Sequence, residues 1–349
     1  MIDQADWASR VVSWQKAHGR NDLPWQNTRD PYRVWLSEIM LQQTQVVTVM
    51  GYYERFLHRF PQVSMLAAAS HDEVMSLWSG LGYYSRARNL HRCAKDVMAL
   101  HAGQFPSTAK QLQTLPGIGP STAAAIASLC FGERVAIMDG NVKRVLTRVL
   151  GWEADLAVQA NERKLLARAE QMLPGQQLFD AMPRYTQGLM DLGATLCTPR
   201  RPDCHRCPAG DLCVAHAQGE PERFPVKTRK IKRSSDSLWL LWATDEEGQV
   251  CLSLRPAPGI WAGLYCLPLY DSRPALLKDL SADDACQLVD QPAFKHVLTH
   301  KDLHLHVVRL QVSKARRASL SGLGLWLSRS GWMDLGLPAP VRKLLLTSA

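Results

Sequence analysis

The stretch Leu115-Pro116-Gly117-Ile118-Gly119-Pro120-Ser121-Thr122-Ala123 decides the reading of the first half of this chain. Its two glycines stand just before a run of small residues, Ala123–Cys130, with helical character. Glycine lets the backbone approach a ligand closely, and a helix start leaves N–H groups unpaired, so the pair can form an anion site for one phosphate. A bare Gly-x-Gly is also an ordinary tight turn; the flanking Leu-Pro and Ser-Thr-Ala single this one out. On either side the periodicity is helical. Tyr32–Met50, Asp72–Leu77, Ala87–Leu100 and Ser121–Cys130 carry apolar residues at three- and four-residue spacing. Leu23-Pro24, Gly80-Leu81-Gly82 and Phe105-Pro106 punctuate them.

Further along, Arg223, Lys227, Arg229, Lys230, Lys232 and Arg233 follow one another without an intervening acid, which reads as an exposed linker. Beyond it the period changes. Leu238–Trp242, a turn at Asp245–Gly248 and Val250–Leu254 suggest a hairpin. Lys295–Thr299 and Leu303–Val312 suggest a second pair, with His304 and His306 alternating against Leu303, Leu305 and Val307. Pro274–Val289 and Pro338–Leu346 look helical. The expected architecture is multidomain, all-α followed by α+β: a helical domain at 1–221, a basic linker at 222–236 and an α+β domain at 237–349.

A length of 349 residues suits two such domains, and 46% hydrophobic with 21% charged residues excludes a largely disordered chain. No apolar run is long enough for a bilayer span and the first residues are polar, so no membrane segment or secretory signal is expected. The net charge of +9 is compatible with a polyanionic partner without requiring one. Cys197, Cys204, Cys207 and Cys213 crowd together, while Cys93, Cys130, Cys251, Cys266 and Cys286 are scattered and read as packing residues. An odd total of nine argues for a reducing cytoplasm rather than a disulfide framework. The spacing Cys-x6-Cys-x2-Cys-x5-Cys at 197–213 can hold tetrahedral zinc or an iron–sulfur cluster. Arg200, Arg201, His205 and Arg206 in the same loop can meet phosphates or simply be solvated.

Leu115–Ala123, Ile137-Met138-Asp139-Gly140-Asn141-Val142-Lys143-Arg144-Val145 and the cysteine loop together resemble the helix-hairpin-helix DNA glycosylases of the endonuclease III superfamily. Leu23-Pro24-Trp25-Gln26, Trp35–Val46 and Gly80–Leu90 narrow the resemblance to adenine DNA glycosylases of the MutY type. The resemblance implies a 4Fe–4S cluster on Cys197, Cys204, Cys207 and Cys213. It implies removal of adenine mispaired with 8-oxoguanine or guanine in double-stranded DNA, by base flipping and hydrolysis of the N-glycosidic bond.

That hydrolysis needs a proton for the leaving base and a negative partner for the developing sugar cation, the two-carboxylate logic of glycoside cleavage. By resemblance Glu38 is the acid at adenine N7, Asp139 stabilises the sugar and Asn141 helps position the site. On their own, Glu38 can be a solvated helix residue, and Asp139 a helix cap or a partner of Lys143. Ser121 stands where relatives that also cut the backbone have lysine, implying a monofunctional glycosylase. Gly117 and Gly119 are expected at a DNA phosphate. Gln43, Thr44, Leu81 and Tyr83 match residues that contact or wedge beside 8-oxoguanine; Trp25, Arg33 and Gln187 are candidates for the adenine pocket.

Leu254–Pro268 resembles the strand segment of Nudix hydrolases, but Asp283-Asp284 replaces their magnesium-binding glutamate box. A Nudix-like lesion-recognition domain without hydrolase activity is expected. Its loop reads Leu298-Thr299-His300 where the family commonly has Phe-Ser-His, so Thr299 and His300 are the expected lesion contacts. The alternatives are an oxidised-pyrimidine glycosylase/lyase of the endonuclease III kind, a nucleotide-pool hydrolase and a non-catalytic iron–sulfur DNA-binding protein. A monomer in the bacterial cytoplasm, on the nucleoid when bound to DNA, is expected, with repair or replication proteins as further partners.

Overall fold

The computed structural model describes residues 4–228 and 233–347. By backbone contact the chain divides into two compact units, Met1–Ala68 with Asn89–Lys230, and Ala69–Arg88 with Ile231–Ala349. The helices up to residue 217 are α1 (Gln4–His18), α2 (Pro31–Leu41), α3 (Val46–Arg59), α4 (Val63–Ala68), α5 (His71–Trp78), α6 (Ser85–His101), α7 (Ala109–Leu112), α8 (Pro120–Phe131), α9 (Gly140–Leu150), α10 (Gln159–Gln171), α11 (Leu178–Thr195) and α12 (Val214–Ala217). None of the described helices is long and apolar enough to cross a membrane.

The core of the first unit forms around α11. Val142, Val145, Leu146 and Val149 recur at three- and four-residue spacing, so α9 presents one apolar stripe, which buries with Trp7 and Val11 of α1 and Tyr185, Leu189 and Leu192 of α11. Trp7 Nε1 donates to the buried Tyr185 Oη at 2.8 Å, so the two rings bury without stranding their polar atoms. A Cβ on Gly188 would lie 2.9 Å from Val11 Cγ1, and one on Gly193 would lie 2.6 Å from the Asn141 Cβ. Small residues on α11 thus let α1 and α9 approach it closely.

The expected continuous helix at Tyr32–Met50 is two helices, because the chain leaves the helical conformation between α2 and α3. Gln42 is extended (ψ 111°) and Gln43 is left-handed (φ 57°). Gln43 is neither glycine nor asparagine, so residue type gives no warning of that conformation. The basic stretch is also less free than its composition suggests. Phe224 is buried, Val226 O accepts from Leu156 N at 3.0 Å, and Arg223 pairs with Glu153 at 3.0 Å. Arg229, Lys230 and Lys232 lie outside the described residues.

Among the described residues, the second unit is built on an eight-stranded mixed sheet. Its strands are β1 (Ser234–Asp245), β2 (Val250–Leu254), β3 (Tyr265–Cys266), β4 (Leu269–Tyr270), β5 (Val289–Asp290), β6 (Phe294–Val297), β7 (Lys301–Val312) and β8 (Leu325–Leu327). β1 and β2 form the expected antiparallel hairpin, and β6 pairs antiparallel with β7. β1 and β7 pair in parallel over their whole length, from Ser234↔Lys301 to Asp245↔Val312. The alternation on β7 holds: Leu303, Leu305 and Val307 are buried with Leu238, Leu240 and Trp242, while His306 stacks on Trp239 on the other face. Helices α13 (Arg273–Lys278), α14 (Ala282–Cys286), α15 (Arg329–Met333) and α16 (Ala339–Thr347) complete it. Asp284 is buried against Arg316 at 2.9 Å, which removes it as a free acidic ligand. Cys286 is exposed, unlike the other four scattered cysteines, so the packing reading fails for it.

Residues 69–88 group with this second unit although sequence order runs them through the helical region. Tyr84 Oη and Ser79 Oγ both donate to Leu337 O, at 2.9 and 3.0 Å, and Arg342 Nε donates to Ser79 Oγ at 2.9 Å. A Cβ on Gly336 would lie 2.6 Å from the Met75 Cβ, so α5 seats on a bare backbone.

Candidate active site

Asp30 caps α2 by accepting from Tyr32 N at 2.9 Å, and Pro31 starts the helix with the right backbone angle. Val34, Trp35, Leu36, Ile39 and Met40 then bury, so Glu38 is carried inward with them. It faces a cavity of about 300 Å³ whose walls include Trp25, Gln26, Ser37 and Gln187. Burial pushes the Glu38 carboxyl up to about 7 from its ordinary 4.5, and the negative charge of Asp139 adds to the rise. A carboxylic acid poised near neutrality can donate a proton to a base held in that cavity.

Asp139 is the N-cap of α9, its Oδ1 accepting from Val142 N at 2.6 Å. The bland and the catalytic readings of this residue are therefore compatible, since capping fixes the carboxylate in place. Burial raises the Asp139 pKa, opposed by the backbone N–H groups of Val142 and Asn141 and the charges of Arg144 and Lys143. Lys143 itself pairs with Glu162 rather than with Asp139. Asn141 Oδ1 accepts from Arg144 Nη2 at 2.8 Å, and the same guanidinium donates to Gly193 O at 2.6 Å and Cys197 O at 2.7 Å. Asn141 is thus held by a residue that also holds the cysteine loop.

The glycine hairpin forms as a tight turn into α8. Gly117 has φ +76°, and a Cβ there would lie 2.7 Å from the Asn89 Cβ, so only glycine fits. Gly119 is the N-cap of α8 with no side chain over the helix start. Its open N–H groups suit an anion. Ser121 Oγ accepts from Met138 N at 3.3 Å, and Gln42 Nε2 donates to Thr122 Oγ1 at 3.2 Å, which ties the hairpin helix to the residue before Asp139 and to the end of α2. Gly117→Ala is expected to lower stability by about 1–3 kcal/mol through strain and overlap, read in a urea titration, and to weaken duplex binding in the same variant.

Among the described residues no three of His, Cys, Asp and Glu converge on the point a single metal ion would occupy. Cys197, Cys204, Cys207 and Cys213 instead line one cavity, and none is in a disulfide. Arg148 is almost wholly buried beside them. It donates to Cys197 Sγ at 3.3 Å, Thr198 O at 2.7 Å, Pro199 O at 3.1 Å and Phe224 O at 3.2 Å. Among the described residues no carboxylate pairs with this guanidinium. Four thiols around a small cavity with an uncompensated buried cation fit an anionic thiolate-held cluster. Of the cations in the same loop, Arg200, Arg201, His205 and Arg206 are exposed.

In the second unit Tyr83 is 43% exposed and left-handed (φ 50°), and its hydroxyl is 2.7 Å from Thr299 Oγ1. The same family resemblance singled out both residues from separate motifs, and the fold brings them together. His300 is exposed, and its backbone carbonyl accepts from Ser234 N at 3.0 Å. Leu81 is buried, so it supports the turn rather than projecting from it. In the first unit Gln43 is exposed, and the Thr44 hydroxyl donates to Gln42 O at 3.4 Å. Trp25 and Gln187 line the Glu38 cavity, Gln187 also donating to Asp191 Oδ1 at 2.9 Å. Arg33 does not reach it; its side chain lies half-exposed beside Asp30 at 3.5 Å. Gln26 was missed: both polar atoms of its amide are buried with no hydrogen-bond partner, on the cavity wall. Its position directly after Trp25 was the available signal.

Residues 36–172 match the family model described as HhH-GPD superfamily base excision DNA repair protein, and 239–347 match a NUDIX domain. The adenine DNA glycosylase of Buchnera aphidicola subsp. Schizaphis graminum is 33% identical over 96% of this chain and 96% of its own. That of Mus musculus is 44% identical over 99% of this chain and 78% of its own. The chain belongs to the adenine DNA glycosylase family. A solved thermostable thymine-DNA glycosylase is 29% identical, with a TM-score of 0.54 over 62% of this chain and 97% of its own. A trapped endonuclease III–DNA covalent intermediate shares the fold at 20% identity and a TM-score of 0.50, over 63% of this chain and 99% of that one. The helix-hairpin-helix glycosylase fold and the Nudix-like second domain are thus both present, and the chain is a base-excision DNA glycosylase acting on adenine.

Proposed function

We propose that this adenine DNA glycosylase removes adenine paired with 8-oxoguanine, and with guanine, using Glu38 as proton donor and Asp139 as the carboxylate facing the sugar. The observation that carries the reading is the elevated Glu38 carboxyl on the cavity wall, within electrostatic reach of the capped Asp139. A flipped adenine in the cavity takes the Glu38 proton at N7 as the C1′–N9 bond breaks. Asp139 then stabilises the sugar cation, or bonds to it transiently, until water adds at C1′, displacing any such bond and giving up its proton to restore the Glu38 acid. Neutral adenine leaves, and the sugar is left as an abasic site. Ser121 has no amine for a Schiff base, so strand cleavage is not coupled to this step.

Cys197, Cys204, Cys207 and Cys213 would hold a 4Fe–4S cluster, whose contribution is to lock the loop 197–213 and its exposed cations in one conformation. Arg144 and Arg148 anchor that loop to α9, and so to Asp139. Tyr83 and Thr299 are the proposed readers of the opposite base, and Gln43, Thr44 and His300 are proposed as further contacts to it. Repair or replication proteins as partners, and a cytoplasmic, nucleoid-associated monomer, remain part of this proposal.

The test incubates the purified protein with duplexes carrying adenine opposite 8-oxoguanine, adenine opposite guanine, thymine glycol, or no lesion. Alkali-dependent cleavage confined to the two mispaired adenines is the expected result; cleavage at thymine glycol without alkali supports the endonuclease III alternative. Tyr83→Phe and Thr299→Val each break the hydroxyl pair at 2.7 Å. Each is expected to reduce the 8-oxoguanine-over-guanine ratio of single-turnover rates by about tenfold or less, the scale of one hydrogen bond. An unchanged ratio in both removes these residues from recognition.

A further inference from the structure

The cavity at Glu38 has a direction. Glu38, Ser37 and Val34 of α2 line it, whereas Gln42, the glycine hairpin and Asp139 do not. At 1.5 Å of rise per residue, Val34 lies about 6 Å from Glu38 on the side away from Gln42. Gln42 in turn bonds to Thr122 of the hairpin helix. The cavity therefore runs from the acid away from the elements expected to hold DNA.

Its far end is at the surface. There the walls are Asn21, Asn27 and Arg29 from the segment joining α1 to α2, and Asp180 and Arg184 from the first turns of α11. Asn21, Asn27 and Arg29 are exposed, and the Asp180 side chain is 65% exposed. Arg29 reaches Asp180 across this opening at 3.9 Å, Arg184 pairs with Asp180 along the same helix at 3.5 Å, and the Arg29 guanidinium lies 3.9 Å over the exposed Phe179 ring. Exposed ion pairs of this kind contribute about 0–1 kcal/mol each, so they part easily. With about 30 Å³ of liquid volume per water, a cavity of about 300 Å³ has room for a purine with water around it.

We infer that the cavity leads from the acid to the surface as an exit, and that the free purine base leaves through the Arg29–Asp180–Arg184 mouth while the abasic DNA stays bound. The inference rests on the proposed excision of adenine at Glu38. The amides and ions along the wall suit a neutral heterocycle carrying donors and acceptors, and a rear exit removes the need for the base to pass back by Asp139 and the sugar. Excised base then clears the site independently of the DNA.

The experiment uses the full chain in excess over a duplex with radiolabelled adenine opposite 8-oxoguanine and a second label on the strand. One portion is quenched in denaturant to count all adenine excised; a parallel portion is passed rapidly through a filter that retains the protein–DNA complex. Free adenine in the filtrate is expected to track the quenched count while the strand label stays on the filter. Asn27→Trp and Asp180→Trp, each bulking an exposed wall of the mouth, are expected to make the filtrate lag the quenched count by about tenfold or more. Adenine appearing only as the strand label leaves the filter overturns the passage, as does prompt release in both tryptophan variants. No excised adenine in the quenched portion instead overturns the underlying assignment, and the two failures are distinct.

Discussion

Replacing Glu38 with glutamine is expected to lower the single-turnover rate of adenine excision by at least about a thousandfold, the scale of a lost general acid. Glutamine keeps the size and polarity of the side chain but holds no transferable proton. In the unmodified protein the same rate is expected to fall as pH rises through about 7, where Glu38 ionises. A stability signature accompanies this. Because the folded-state value lies above the ordinary 4.5, the Glu38 contribution is fully present below about pH 4 and is lost as pH rises through 7. The loss is on the order of 3 kcal/mol. Glu38→Gln is therefore expected to melt higher than the unmodified protein at pH 8, with that advantage shrinking toward pH 4. A variant that excises adenine at the native rate would remove Glu38 from the chemistry, whatever its melting behaviour.

Arg148→Leu is expected to be the most damaging single change outside the cavity. The guanidinium satisfies three backbone carbonyls and the Cys197 sulfur in a buried space. Leucine strands those acceptors away from water, a cost on the order of 4 kcal/mol. Urea unfolding should show the loss directly, and iron and acid-labile sulfide content should fall with it. Arg148→Lys should recover less than half of the lost stability, because an ammonium cannot present the planar fork that reaches several carbonyls at once. A leucine variant with native stability and native iron content would show that the loop 197–213 is held by other contacts.

How much of this was legible in the sequence depends on the kind of signal. Periodicity placed α5, α6, α8 and the β1–β2 hairpin, because their apolar faces repeat locally. It missed the break between α2 and α3, where Gln43 takes a left-handed conformation that its residue type does not announce. Charge composition suggested an exposed basic run, but Phe224 buries and Arg223 finds Glu153, a partner seventy residues earlier. Glu38 and Asp139 stood out only through the motifs around them; physics alone favoured a solvated residue and a helix cap, and Asp139 is indeed that cap. The cavity walls beyond Trp25 and Gln187 were invisible, since Asn27 and Asp180 line one cavity from more than a hundred and fifty positions apart with no pattern connecting them. Arg33 was a candidate only through the resemblance, and it points elsewhere because Asp30, one turn away, holds it at the surface.

The bond from Met138 N to Ser121 Oγ bears on how enzymes of this fold can change trade. A lysine ammonium has donors and no acceptor, so it cannot take over that bond. If, as proposed, an amine at 121 is what couples strand cleavage to excision, installing one would bring that activity while slackening the backbone just ahead of Asp139. Gaining the second activity and keeping the first at full rate are therefore competing demands on one side chain, and a lineage moving between them would have to rebuild the support for residue 138 from another direction.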